Sequence, residues 1–290
     1  MKKEEKHKEP DRFSEETEKM ISGTQIQWKK SKDEVWMELE KKIATAPSAG
    51  KIILFRPWLK IAIAAGIALM LGISALINFY TKTINVPTGQ HAEIYFPDNS
   101  RINLNAQSTL SYKPFLWKFS RSVKFEGEAY FDVIKGKQFE VISGKGKTIV
   151  LGTTFNIYSR NIDYQVTCIS GKVKVSGITG SHNVILNPGQ QALLNTEGTL
   201  VIQSEIDTDQ TLSWLNNKLS FTSVPLKKVF EEIGRQYGVL INIPDDLEYT
   251  YTGTFMKEGS VENVLNLVCR PFDLEITRKA DNEYIITGNK

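Results

Sequence analysis

Between Lys60 and Lys82 the chain runs through 21 residues without a charge. A helix rises about 1.5 Å per residue, so roughly 20 apolar residues cross a hydrocarbon core about 30 Å thick. Ile61 to Tyr80 meets that length, and Ser74 and Asn78 are its clearly polar members. The core helix of a soluble protein shows a polar face, and this run shows none. A cleaved leader has a shorter apolar region close to the N-terminus. Here 60 residues rich in charge come first. The run reads as one transmembrane helix, residues 59–81.

Orientation follows from the flanks. Lys41, Lys42, Lys51, Arg56 and Lys60 precede the run; Lys82 and then Arg101 follow it. Cytoplasmic flanks hold the excess of Lys and Arg, which puts the N-terminus inside and exports everything from Thr81 on. Residues 1–60 carry 14 Lys/Arg and 11 Asp/Glu, so the net charge of +3 comes from the inner segment alone. That balance is the positive-inside pattern. No basic stripe interleaved with aromatics points to direct nucleic-acid binding.

Residues 1–22 are charged, poor in large apolar side chains, and read as a disordered arm. Residues 23–58 form a cytoplasmic segment and linker. In it, Ser31 and Glu34 stand at capping-box spacing, and Val35, Trp36, Leu39 and Ile43 share one helical face, with Trp28 just before the cap. About twelve residues of helix are marginal alone in water. The segment offers this face nothing large to pack on, so a partner's groove or the bilayer surface is expected to cover it. "TAPSAGK", residues 45–51, reads as the linker.

From residue 84 to about 208 the chain reads as short strands broken by Gly and Asn, with "AEIYF" and "RINLN" flanking a hairpin turn at Pro97–Ser100. Alternation shows at Val173 and Val175, and in Phe125, Tyr130 and Val133 around Gly127. An all-β, jelly-roll-like domain is expected, with a short β-solenoid as the alternative. Residues 214–290 change pattern. Pro225 stands at a first helical position, Leu226, Val229, Phe230, Ile233 and Tyr237 follow at helical spacing, and Gly238 ends the run. Ser260 caps a second helix carrying Val261, Val264, Leu265 and Val268. The predicted order is β-α-β-β-α-β-β, a small α+β module.

Candidate chemistry is sparse. His7, His91 and His182 have no ligand or triad spacing, and no HExxH, CxxC, P-loop or nucleophile elbow occurs. Asp98 and Asp132 read as turn and strand-edge residues, not an acid–base pair. Cys168 and Cys269 read as buried small hydrophobes, although an exported pair could bond. No catalytic residue, cofactor or metal is assigned, and the chain reads as a non-enzyme. Ala64, Ala68 and Gly72 make a small-residue stripe that is common in spans. "GTTF" at Gly152–Phe155 reads as an edge-strand bend; a scissile Gly152–Thr153 bond attacked by the Thr hydroxyl is the sharper reading.

Four ordered strings then converge: "FEGEAYFDV", "VLGTTFNIYS", "ISGKVKVSG" and "LNPGQQALL". They resemble successive motifs of the FecR-type anti-sigma regulators. "WLNNKLSF" resembles the Trp-x-x-Gly-x-x-x-Phe stretch that opens the C-terminal module of that family, with Asn217 in place of Gly. Asn also tolerates the left-handed backbone. The resemblance implies a single-pass inner-membrane protein whose cytoplasmic end binds an extracytoplasmic-function sigma factor. Its periplasmic end would receive a signal from the signalling domain of an outer-membrane TonB-dependent transducer. It implies sigma contacts at Trp28, Val35, Trp36, Leu39 and Ile43, and cleavage at Gly152–Thr153, as in some members. The C-terminal module resembles the short signalling domain of secretins and TonB-dependent receptors. Its first strand, with Leu219 and Phe221, is the expected transducer-docking edge. The helical anti-sigma domain is shorter here than in many members. The rival reading is a membrane-anchored periplasmic protein that binds carbohydrate or peptide.

Overall fold

The computed structural model describes residues 19–20, 23, 29–45, 57–177, 183–244 and 247–288. Trp28, His7, His182, nearly all of the N-terminal arm and residues 46–56, which include all of the 45–51 linker but Thr45, lie outside the described residues. Helix α1, Lys32–Ala44, begins with both capping-box bonds: Glu34 N–H donates to Ser31 Oγ at 3.2 Å, and Ser31 N–H to the Glu34 carboxylate at 2.9 Å. Asp33 and Glu34 in the first turn and Lys41 and Lys42 in the last complement the helix dipole. None of its residues is buried; Trp36 is 69% exposed.

Helix α2, Pro57–Phe79, begins and ends two residues earlier than the sequence suggested, with Pro57 at a helix start where its missing N–H costs nothing. It is long and apolar enough to cross a membrane and is not buried against protein.

The following strands are β1 Lys82–Val86, β2 Ala92–Tyr95, β3 Arg101–Leu104, β4 Ser108–Tyr112, β5 Arg121–Asp132, β6 Phe139–Ile142, β7 Gly146–Val150, β8 Thr154–Arg160, β9 Asp163–Ser170, β10 Val173–Gly177, β11 Asn183–Leu186, β12 Gln191–Leu194 and β13 Leu200–Gln203. Their continuous order is β11-β10-β7-β6-β5-β8-β9-β12-β13, with β4–β1 and β3–β2 branching from β5. Strand β5 belongs to both halves. Its first part pairs with β4 and, in parallel, with β6; its second part pairs with β3 and β8. The change comes at Gly127, at φ +118°, where a Cβ would sit 2.3 Å from Ser108 Oγ. Only glycine can pass there.

Side chains along β5 alternate, with Phe125, Ala129 and Phe131 inward, as is Val133 just past its end. Tyr130 has the opposite parity and faces outward, which corrects the grouping read from the sequence. The core stacks Phe131 on Phe155 at 4.9 Å and Phe96 on Trp117 at 4.4 Å. The Pro97–Ser100 turn uses Asn99 at φ +64°. Asp98 pairs with the buried Arg121, and Asp132 lies across from Arg101 at 3.4 Å. Cys168 and Cys269 are both buried and free, in separate cores.

A short helix α3, Thr208–Thr211, capped by Asp207, leads into a 3-10 turn at Ser213–Asn216. Asn217 ends that turn in the left-handed region, φ +52°. Then come β14 Lys218–Pro225, α4 Leu226–Tyr237, β15 Leu240–Asn242, β16 Thr250–Met256, α5 Val261–Cys269, β17 Leu274–Ala280 and β18 Glu283–Gly288. Pro225 is the N-cap of α4, one position before the site read from the sequence, and Gly238 closes that helix at φ +71°. Strands β14 and β16 pair with each other, and β15-β18-β17 form a second sheet with β15 parallel to β18. Leu226, Val229, Phe230 and Ile233 of α4 meet Val264, Leu265 and Val268 of α5 in a core of their own.

Candidate functional site

Helix α4 has two working faces. One fills the core of its own module. The other carries Lys228, Glu232, Arg235 and Gln236 onto the outer face of β5, β8 and β9. Gln236 is the hub. Its Nε2 donates to Asn105 Oδ1 at 2.6 Å and to Glu232 Oε1 at 2.8 Å, and its Oε1 lies 2.9 Å from His91 Nε2. An amide that donates twice from nitrogen must accept at oxygen, so His91 is the Nε2–H tautomer. The His91 ring stands edge-on to Trp214 at 5.6 Å. Backbone joins in: Gly89 N–H donates to Arg235 O at 2.7 Å. Lys228 Nζ reaches Asp163 Oδ2 at 2.7 Å.

Two carboxylates share this junction. Glu128 on β5 accepts from Asn105 Nδ2 at 2.7 Å and Asn156 Nδ2 at 3.1 Å. Burial, with the charge of Glu232 added, pushes its carboxyl up to about 7 against the pull of Arg160 and the two amides. Burial also works to raise Glu232, but Arg235 at 2.8 Å, Arg160 and Gln236 outweigh it and hold that carboxyl below its ordinary value. The buried Arg160 is fixed by donating to the carbonyls of Gln107 at 2.7 Å and Ala106 at 2.6 Å. Burial lowers His91 despite its bond to Gln236.

Beside this junction lies an open groove of about 560 Å³. Its lining includes the amides and hydroxyl of Gln165, Thr167, Gln191 and Gln203, and Trp214. One wall is β14. Lys257 N–H donates to Asn217 O at 2.7 Å, which makes 217 and 257 a hydrogen-bonded antiparallel pair. By that parity Leu219 and Phe221 turn their peptide groups to β16. Lys218 and Ser220 turn theirs toward the groove, because β16 is the sheet neighbour of β14.

The residues singled out from sequence fall in three places. Val35, Trp36, Leu39 and Ile43 are exposed on α1. Leu219 and Phe221 have buried side chains in the core of the C-terminal module, so β14 presents backbone rather than those side chains. Gly152 is packed so that a Cβ would meet Lys135 Cα at 2.5 Å. Thr153 is buried, bonded through its backbone to Val133 in both directions, and its hydroxyl donates to Lys172 O at 3.1 Å. The junction residues Asn105, Glu128, Arg160, Glu232 and Gln236 were not singled out. In sequence they are polar positions on alternating strands and on the wet side of an amphipathic helix. Among the described residues, no cluster of His, Cys, Asp and Glu could hold a metal ion.

The family described as FecR protein matches residues 82–174, and that described as FecR, C-terminal matches residues 218–286, together more than half of the chain. Two crystal structures of a candidate anti-sigma factor from Parabacteroides distasonis ATCC 8503, at 2.50 Å and 1.65 Å, are similar to this one. Each is 25% identical with a TM-score of 0.66; the matches cover 73% and 72% of this chain and 100% of those chains. No curated protein matches the chain.

Proposed function

The chain belongs to the FecR-type family of anti-sigma regulators, and from that premise we propose that it is a single-pass membrane relay. In this reading α1 holds an extracytoplasmic-function sigma factor on the cytoplasmic side. The FecR region, a jelly-roll-like β domain over residues 84–208, and the module over 214–290 lie in the periplasm. There the module meets the signalling domain of an outer-membrane TonB-dependent transducer. The observation that carries the reading is the contrast across α2. On its N-terminal side is a capped helix with a bare apolar face; on the other are two packed cores joined by a polar junction.

Three observations support the details. The Lys/Arg excess precedes α2, which favours an inner N-terminus. The apolar face of α1 supports Val35, Trp36, Leu39 and Ile43 as sigma contacts, with Trp28 before the cap. The groove-facing backbone of Lys218 and Ser220 supports strand addition at β14 by the transducer. Cleavage between Gly152 and Thr153 would then separate the β domain in the middle of its sheet. The test is capture of the sigma factor from cells by residues 1–58. Binding that vanishes with α1 deleted is the expected result; no sigma factor captured overturns it. The groove's amide-rich lining, with Trp214, favours one second reading, a carbohydrate- or peptide-binding role, which would leave residues 23–44 dispensable.

A further inference from the structure

Strand β1 starts at Lys82, three residues after α2 ends, and its register pairs Lys82 with Tyr112, the last residue of β4. The connection from β4 to β5 therefore leaves the sheet at the end where α2 joins it. This connection is "KPFLWKFS", residues 113–120, with two lysines and no acid. It holds a fixed shape: a 3-10 turn at Pro114–Leu116, then Phe119 and Ser120 N–H groups both donating to Leu116 O at 2.9 Å. Trp117 points inward, stacked on Phe96 in the core. With Trp117 committed inward, its neighbours Phe115 and Phe119 stand outside, 58% and 79% exposed. The Phe115 ring meets Tyr80, the residue after α2, at 5.4 Å. Lys82, Lys113 and Lys118 are exposed around these rings, and Lys137 Nζ reaches Lys118 O at 3.4 Å.

We propose that the 113–119 turn is a second membrane contact: Phe115 and Phe119 enter the interfacial layer of the leaflet at the C-terminal end of α2, while Lys82, Lys113 and Lys118 meet its anionic headgroups. Aromatic side chains concentrate at that depth, and Tyr80 already marks it at the end of the span. Apolar area buried in the interface and lysines against anionic lipid add in the same direction. The occupant is lipid rather than a protein because the patch continues the surface of the span itself. Held at two points, the β domain cannot swivel freely about residues 80–82. A device that transmits a periplasmic contact through one helix needs such a restraint.

The inference rests on α2 spanning a membrane, so the experiment reads the two separately. The full chain is placed in nanodiscs of phosphatidylethanolamine and phosphatidylglycerol with a nitroxide at a single introduced cysteine: Phe119→Cys, Phe115→Cys, Leu69→Cys or Asp281→Cys. The native cysteines are buried. Collision of the label with oxygen, which concentrates in lipid, is compared with collision with a water-soluble nickel chelate. The label at 69 reports the span and the label at 281, on a fully exposed residue, reports water. The expected result is an oxygen-to-nickel ratio at 119 and 115 several-fold above that at 281, and falling when Lys113 and Lys118 are both changed to Glu. If 69 reads as lipid while 119 and 115 read as water, the second contact is overturned and the span stands. If 69 itself reads as water, both fall. Labels at 115 and 119 shielded from both reagents indicate a protein neighbour and overturn the lipid assignment.

Discussion

The side-chain amide of Gln236 on α4 donates to Asn105 Oδ1 at 2.6 Å, and both polar residues are almost wholly buried, Gln236 on a helix that fills one hydrophobic core and Asn105 directly after β3, which helps to build the other. The two cores are thus held by directional bonds instead of a shared apolar seam. Each bond needs its partner in place, so the junction has a defined docked geometry.

Gln236→Leu should break that geometry without harming either core. It removes the acceptor of the His91 Nε2–H and one donor each from Asn105 Oδ1, which keeps the Ala106 N–H at 2.7 Å, and from Glu232, which keeps Arg235; a stranded buried polar group costs about 1–3 kcal/mol. Chemical denaturation of the variant should show that loss. Loss of cooperativity between the two regions should appear as two transitions. Unchanged stability would show that the amide bonds contribute nothing.

Acidity should tighten the junction over a narrow range. An unfolded glutamate titrates near 4.5, whereas folded Glu128 titrates near 7. Its contribution is therefore complete below 4.5 and is lost as pH rises through about 7. Glu232 runs the other way, keeping its contribution above 4.5 and losing it only in more acid solution. His91, lowered by burial, begins to oppose below its unfolded value of 6.5. Between pH 8 and 6.5 Glu128 governs, so stability should rise by about 1 kcal/mol on acidification. Thermal melts of the wild type should show that rise. Glu128→Gln removes the charge, keeps an acceptor oxygen for one of the two asparagine amides, and should flatten the dependence.

What the sequence disclosed and what it hid have physical causes. Features written in local periodicity were readable: the uncharged run, the capping box at Ser31 and Glu34, and the apolar stripe Leu226–Val229–Phe230–Ile233. Asn217 was readable as a left-handed turn only through the resemblance, which has Gly at that position, Asn being one of the few other types that tolerate that backbone. Hidden were features set by pairing across long separations. Strand β5 serves two sheets, and its partners lie on both sides of it in sequence. The outward Tyr130 was misgrouped because alternation was read across Gly127 without counting parity. The junction was invisible because Glu128 and Gln236 look like solvent-facing polar residues until the opposing surface is placed over them.

Trp36 should be the anchor of the proposed sigma contact, as interface energy gathers in a few large aromatics. Trp36→Ala should cost about 2 kcal/mol of binding, roughly thirtyfold in affinity. Membrane insertion and the stability of residues 82–288 should be unaffected, since no residue of α1 is buried. Equal binding by both proteins in a titration would remove Trp36 from the anchor role.

Gly152 and Thr153 can be separated by substitution. A methyl at Gly152 would sit 2.5 Å from Lys135 Cα, so Gly152→Ala should cost about 1–3 kcal/mol of stability through overpacking, whatever happens to the peptide bond. Thr153→Val keeps the side-chain shape and loses the hydroxyl bond to Lys172 O, a cost of about 1 kcal/mol. If the Thr hydroxyl performs the proposed cleavage, Thr153→Val should migrate as one full-length band where the wild type gives two fragments. Fragments that persist in the variant would assign the cut to a protease.

The free edge of β14 allows the sharpest test of transducer docking. Strand addition uses peptide N–H and C=O groups, and by register those of Ser220 face the groove while those of Leu219 and Phe221 serve β16. Proline lacks an N–H and fits edge positions of a sheet. Ser220→Pro should therefore delete one groove-facing donor and spare the β14–β16 ladder. Leu219→Pro, one residue earlier, should break the ladder and displace a side chain from the core that holds Phe230 and Leu265. The contrast distinguishes an edge used for docking from a strand needed only for folding. With the periplasmic domain of the transducer as titrant, Ser220→Pro should bind at least about tenfold more weakly, the loss expected when a buried partner goes unpaired. Its melting should stay close to wild type, while Leu219→Pro should melt far lower. Wild-type affinity in a folded Ser220→Pro protein would place the transducer elsewhere on the module, since no contact that uses this edge as a strand template could tolerate the missing donor.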